Sequence, residues 1–170
     1  FTLVRNFKEV PMPLISYTDD SAPFNMAKSS ESVLIEQIKS DITTALATGA
    51  AKTFFDDDEW AGASKGRATK WALYALMADV CLWNEDYDQC IEYVDLLINA
   101  TDIRRPAFMQ SSSLWFEIFF PGNSNESIFE LNYDYEFGQA DAGPSIYFTV
   151  AALAPYQYSS AMRSRLLAEK

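Results

Sequence analysis

The sequence predicts an all-α fold built around a helical hairpin, with long irregular loops outside it. Apolar residues recur at helical spacing in three stretches between residues 30 and 100. A polar break of three residues separates the last two stretches. Proline, glycine and aromatic residues mix without period in much of the remaining chain, which is typical of loops.

The composition predicts a globular chain and limits its partners. The 170 residues are 49% apolar and 15% aromatic, which is enough for a hydrophobic core. Thirteen lysines and arginines against 24 acidic residues give a net charge of −11. We therefore expect neither nucleic acid nor an anionic membrane surface as a partner. No apolar run approaches the roughly 20 residues that a transmembrane helix needs.

The chain has no histidine and two cysteines, Cys81 and Cys90. The missing histidine removes Ser-His-Asp and Cys-His catalysis and the common zinc sites, so we expect no metal and no cofactor. Two cysteines form no disulfide framework and are expected to be buried free thiols. A glycosidase needs two carboxylates roughly 5 to 9.5 Å apart across a cleft. Because no acid pair stands in such a context, we predict a binding protein and not an enzyme.

Residues 1–29 are predicted to form an irregular, extended arm. Pro11, Pro13 and Pro23 fix their own φ and bias the preceding residues toward extended structure. Neither end of the sequence carries the signals that begin or end a helix. We therefore expect natural sequence before Phe1 and after Lys170.

Residues 30–48 are predicted to form one helix. Ser30 can cap its beginning, and Gly49 is suited to end it. The apolar positions at helical spacing are Val33, Leu34, Ile38, Ile42 and Leu46.

Residues 66–100 are predicted to form the hairpin. Its helices run from residue 67 to 83 and from 87 to about 99, and so short a break makes them antiparallel neighbours. Small residues at Ala75, Ala78 and Cys90 let the two backbones approach closely. The residues expected to face inward from the second helix are Ile91, Val94, Leu97 and Ile98.

The spacing within the hairpin is similar to that of a tetratricopeptide unit. When Tyr87 is placed on the aromatic position that opens the second helix, both helices follow the signature in degenerate form. Cys90 replaces the usual alanine, and the closing proline is displaced to Pro106. The matching residues are Tyr74, Met77, Ala78 and Cys81 on the first helix and Cys90, Val94 and Leu97 on the second. A single unit leaves an apolar face uncovered, so the helix at 30–48 or further sequence must supply the partner.

Residues 101–170 are predicted to be loop-rich with short helices, one of them at 113–120, and residues 127–133 are expected to be extended. Aromatic faces stack on apolar ligand surfaces, and polar side chains form hydrogen bonds to ligand hydroxyls. Tyr133, Asp134 and Tyr135 combine both types and are the first candidate for ligand contact. Trp60, beside an acidic run, is the second. Packing against the helices is the alternative for each, and it is what we expect of Trp71, Trp83 and Trp115.

Four segments carry a resemblance to a known family. Residues 66–88 contain GRATK, ALMADV and LWNEDYD, and residues 3–11 contain LVRNF and VP. Residues 30–41 run from Glu31 through Ile38 to Asp41, and residues 125–131 read NESIFEL. In residue type, order and spacing these segments resemble the SusD/RagB family of outer-membrane nutrient-binding proteins. Lys8 departs from the family, in which glycine is common at this position.

The resemblance implies a surface lipoprotein of Gram-negative bacteria that captures oligosaccharide or polysaccharide for a SusC-like TonB-dependent transporter. Family members are much longer, so this chain would be an internal piece that meets the membrane only through a lipid anchor outside it. Some members take peptides, and the sequence does not name the nutrient. The alternative is a helical-repeat module that binds a protein partner and no sugar.

Overall fold

The computed structural model describes residues 1–15, 25–55, 64–119 and 122–131. These lie in one compact unit, Phe1–Leu131. Their elements are α1 (Thr2–Phe7), β1 (Val10–Pro11), β2 (Lys28–Ser29), α2 (Glu31–Ala47), α3 (Lys70–Trp83), α4 (Tyr87–Ile98) and a 3-10 helix (Ser112–Ile118). The described part is thus mostly helical with a two-stranded sheet of minimal length, which fits the predicted all-α class.

Helices α3 and α4 form the predicted hairpin. The Thr69 hydroxyl accepts a hydrogen bond from the Ala72 N–H at 3.3 Å and caps α3. Cys81 donates to Gln89 at 3.2 Å near the turn, and the rings of Tyr74 and Tyr93 lie 5.9 Å apart farther from it. Contacts that pair earlier residues of one helix with later residues of the other show that the helices run antiparallel.

One stripe of α3 supplies the centre of the core. Met77, Val80 and Cys81 are fully buried and recur at helical spacing. Val80 packs with Ile35 of α2, whereas Met77 and Cys81 pack with Ile42, about two turns further along α2. The core therefore lies between α2 and α3, and Cys90 and Tyr93 of α4 pack against its edge.

Helix α2 begins and ends where the sequence predicted. Glu31 stands in its first turn, where the helix dipole favours a negative charge. Ser30 occupies the N-cap position, but its side chain makes no capping hydrogen bond and contacts the Ser32 hydroxyl instead. Gly49 follows the helix with a φ of +68°, a conformation that glycine adopts at little cost.

Helix α4 differs from the prediction in its burial. None of its residues is buried, and Ile91 and Ile98, which were expected to face inward, are 59% and 57% exposed. Val94 and Leu97 are half-buried. The helix packs on α3, and its Cys90 and Tyr93 also reach the cluster that contains Ile42 of α2. Its apolar face is wider than these neighbours cover.

The three tryptophans of the described residues differ in their burial. Trp71 is buried, as expected. Trp83 is partly exposed but joins three helices, since its ring lies against Arg5 and its Nε1 donates to Glu31 at 2.8 Å. Trp115 is 60% exposed and packs edge-on against Phe119 at 5.8 Å, so the expected core packing was wrong for this residue.

The start of the chain is not the extended arm that the prolines predicted. Thr2–Phe7 form a helix whose Val4 enters the core, and Val10 and Pro11 pair antiparallel with Ser29 and Lys28. Arg5 reaches from this helix to Asp79 of α3 at 3.1 Å. The extended backbone that the prolines predict is present at Val10–Pro11, and the helix lies before the first proline.

Lys39 of α2 fixes the turn of the hairpin. Its ammonium contacts the Asp86 carboxylate at 2.8 Å, and the Asn84 amide donates to the same oxygen at 2.7 Å. The hydrogen bonds from Lys39 and Asn84 lower the pKa of Asp86 below its ordinary 3.8, and the bond to Asp86 raises the pKa of Lys39 above 10.5. The stabilisation is therefore present between these two values. It is lost as pH falls through the lowered pKa or rises through the raised one.

Lys8 occupies a strained turn directly after α1. Its φ is +60° and its ψ is −67°, and the Glu9 N–H donates to the Phe7 carbonyl at 2.7 Å across it. This is a γ-turn with positive φ, a rare conformation that is unfavourable for any residue with a Cβ. A glycine at this position would relieve the strain.

We expect Lys8→Gly to stabilise the protein by about 1 kcal/mol. Relief of backbone strain contributes about 1 to 3 kcal/mol, and the greater freedom of glycine in the unfolded chain offsets about 0.5 to 1 kcal/mol. Urea unfolding measures the difference. Lys8→Ala is the matched control, because it removes the same side chain but keeps the Cβ and the strain. Equal stability of the two variants would contradict the strained turn.

Candidate functional site

A cavity of about 350 Å³ lies where the C-terminal part of α4 meets two loop segments, residues 105–110 and 126–128. Its size is at the small end of the range for small-molecule sites. We call it the α4 cavity. Its lining is Val94, Leu97, Ile98, Arg105, Pro106, Ala107, Phe108, Gln110, Glu126 and Ile128. An apolar wall with three convergent polar side chains is typical of a ligand site.

Asp102 directs the chain from α4 into the wall of the cavity. Its carboxylate accepts from the Arg104 N–H at 2.8 Å, and its carbonyl accepts from the Arg105 N–H at 3.1 Å. Such side-chain bonding to the backbone two residues on is typical of aspartate in turns. The other carboxylate oxygen accepts from the Thr53 hydroxyl at 3.3 Å, and the Arg104 guanidinium lies 3.9 Å from the centre of the Phe54 ring. The turn is thereby fixed to the loop that follows α2.

Residues 105–110 are joined to the segment at 125–126 by alternate backbone groups. The Ala107 N–H donates to the Asn125 carbonyl at 3.1 Å, and the Met109 N–H donates to Glu126 Oε2 at 3.0 Å. Alternation by two residues is the pattern of extended backbone. The second bond holds the Glu126 carboxylate at the wall of the cavity.

The segment 122–131 is held in turn by Lys65. The Lys65 ammonium donates to the carbonyls of Asn123, at 3.0 Å, and Ser124, and the Lys65 carbonyl accepts from the Glu130 N–H at 3.0 Å. Both oxygens of the Glu130 carboxylate accept from the Asn123 N–H at 2.9 Å. We call these four residues the Lys65–Glu130 clamp.

The residue directly before the clamp segment, Gly122, has a conformation that favours glycine. Gly122 has a φ of +84°, and a Cβ built on it would lie 3.0 Å from Glu130 Oε2. Asn123, the next residue, also has a positive φ, of +55°. Burial lowers the pKa of Lys65 below its ordinary 10.5, and the charge of Glu130 partly offsets this. The carbonyl oxygens compensate for the water that the ammonium has lost.

A second depression, of about 440 Å³, lies beside α2, α3 and α4, and Tyr74 and Tyr93 line it. Their rings are already engaged with each other, and Tyr74 also contacts Trp71 and lies under the Lys70 ammonium at 5.7 Å. Phe108 in the α4 cavity is 71% exposed, and no aromatic ring or cation of the described residues stacks on it. We therefore take the α4 cavity as the candidate site.

Four residues were predicted to contact ligand. Tyr133, Asp134, Tyr135 and Trp60 lie outside the described residues. Sequence reasoning missed the polar residues that line the α4 cavity. Of these, Glu126 belongs to the NESIFEL segment, which was singled out for its resemblance to the family. The sequence did not indicate that Glu126 lines a cavity.

Other features expected from the sequence can be located. Both cysteines are free, with Cys81 buried and Cys90 half-buried. Burial raises the pKa of the Cys81 thiol above its ordinary 9.0. No helix among residues 1–15, 25–55, 64–119 and 122–131 has the length and apolar character needed to cross a bilayer. The same residues contain no group of three or more side chains that could hold a metal ion.

Comparison with known proteins gives no relative. No family model, curated protein or solved structure matches this chain.

We expect Glu130→Ala to loosen the segment 122–131. The Asn123 N–H loses its acceptor, and a hydrogen bond to a charged group contributes about 1.5 to 3 kcal/mol, so its exchange should accelerate by at least about tenfold. Hydrogen exchange followed by mass spectrometry measures this. Glu130→Gln keeps an acceptor oxygen and should stay near wild type, as should peptides from α4. Unchanged protection in the alanine variant would contradict the clamp.

Proposed function

We propose that this chain binds oligosaccharide nutrient at the cell surface and delivers it to a partner TonB-dependent outer-membrane transporter. It does so as part of a SusD/RagB-like lipoprotein of the outer membrane, anchored by a lipid outside these residues. It binds its ligand without transforming it. Tyr133, Asp134, Tyr135 and Trp60 remain predicted sugar contacts.

The resemblance of four segments to the family carries the proposal, and three of these segments contact one another in the described part of the chain. Arg5 of the segment 3–11 forms an ion pair with Asp79 of the segment 66–88. Glu31 of the segment 30–41 accepts a hydrogen bond from Trp83 of the segment 66–88. The Glu130 N–H of the segment 125–131 donates to the carbonyl of Lys65, the residue directly before the segment 66–88. These contacts place the segments in one compact unit. The resemblance itself still supplies the function.

We also infer that α3 and α4 are one unit of a stack of tetratricopeptide-like units. The antiparallel hairpin and the exposed side chain of Ile91 on α4 support this. A stacked unit leaves such a face for its neighbour. In this arrangement the stack provides a rigid surface for the transporter, and the loops that follow provide the sugar site.

A second candidate function has one observation in its favour. The 3-10 helix and the residue after it expose large apolar side chains, among them Trp115 and Phe119, which is 73% exposed. Exposed aromatic clusters are typical of protein interfaces. The chain would then bind a protein partner through this patch and contact no sugar.

We expect saturable binding of at least one polysaccharide to the full chain. Calorimetric titration against a panel of neutral and acidic polysaccharides, each in soluble form, measures it. Bovine serum albumin at the same concentration serves as the control for nonspecific heat. Flat responses across the whole panel would reject the proposed function and favour the protein-binding alternative.

A further inference from the structure

We infer that the α4 cavity holds one sugar unit of a neutral oligosaccharide, with the ring stacked on Phe108 and its hydroxyls bound by Glu126 and Arg105. This inference rests on the proposed function and names the site and the ligand class within it. Neighbouring sugar units would extend into solvent, because the cavity is small.

Phe108 provides the stacking surface. It is a large apolar ring exposed at the mouth of an apolar cavity, and it makes no ring contact within the described residues. One face of a sugar ring presents C–H groups, which pack favourably on an aromatic face. A free aromatic face beside polar side chains distinguishes this cavity from the depression at Tyr74 and Tyr93, where the rings contact each other.

Glu126 and Arg105 provide hydrogen-bonding groups that are already held in place. The Met109 N–H fixes Oε2 of the Glu126 carboxylate, and the Asp102 carbonyl accepts from Arg105 Nη1 at 3.4 Å. A carboxylate accepts several hydrogen bonds and a guanidinium has five N–H donors, so both retain capacity for ligand hydroxyls. Side chains fixed before binding lose less entropy when the ligand arrives.

The charges of the site favour a neutral ligand. Glu126 and Arg105 are the two charged residues of the lining, and their charges cancel. An acidic sugar would meet the Glu126 carboxylate within the cavity and a chain of net charge −11 around it. A cationic sugar would meet Arg105. A neutral sugar satisfies both groups without leaving a buried charge opposed.

Two substitutions test the inference in the full chain. Phe108→Ala removes the stacking face and should weaken binding about 5- to 10-fold. Glu126→Gln keeps an oxygen for the Met109 N–H but removes the charge, and should weaken binding about tenfold. Phe119→Ala is the matched control, because Phe119 is a phenylalanine of nearly equal exposure outside the cavity. Thermal unfolding checks that each variant is folded.

The titrants are soluble hexasaccharides of glucose, mannose, galactose and xylose, with a hexasaccharide of galacturonic acid as the acidic comparison. Binding of a neutral hexasaccharide that weakens in the first two variants and not in Phe119→Ala supports the inference. If wild type binds a neutral sugar and all three variants match it, the site is wrong while the proposed function stands. Binding of the acidic hexasaccharide alone overturns the ligand class. No binding by wild type overturns the site and the proposed function together.

Discussion

Burial of one stripe of α3 is the constraint on which the rest of the structure depends. Met77, Val80 and Cys81 have almost no exposed surface, and they pack on α2 through Ile35 and Ile42. Helix α4 has no buried residue of its own, so α3 determines its position. Removing a side chain from this stripe would therefore affect α4 and the cavity at its end as well as the core.

Polar contacts position the loops that follow α4. Beyond α4 the described chain has few buried apolar residues, and its path is set by hydrogen bonds at Asp102, at the 107–109 backbone and in the Lys65–Glu130 clamp. Such contacts are directional, so they hold individual groups in fixed places where apolar packing would allow sliding. Two side chains of opposite charge thereby face one small apolar cavity in a chain that is otherwise strongly acidic.

The sequence predicts the helices well because their signals are local. The bounds of α2, α3 and α4 depend on periodicity, on the polar break before Tyr87 and on Gly49. Burial was harder to predict, because periodicity identifies the apolar face of α4 but not the elements that cover this face. The helix at Thr2–Phe7 was not predicted, because the prolines that follow it led us to assign residues 1–29 to an extended arm.

The cavity could not be predicted for a related reason. Arg105 and Glu126 are separated by 21 residues (126 − 105) and meet only through tertiary hydrogen bonds. Lys65, which holds the segment carrying Glu126, is still farther away in sequence. Composition can indicate that sugar-binding residue types are present. Which of them converge depends on the positive-φ backbone at Gly122 and Asn123, which no periodic pattern in the sequence predicts.

The most direct measurement is an NMR titration of the isotope-labelled full chain with a neutral hexasaccharide. If the hairpin and the clamp together present a sugar site, backbone amide signals should move for residues 105, 107–110 and 126–128 and for the last turn of α4. Signals from α2 should stay in place. Shifts confined to residues outside the cavity, or none at saturating sugar, would contradict this account.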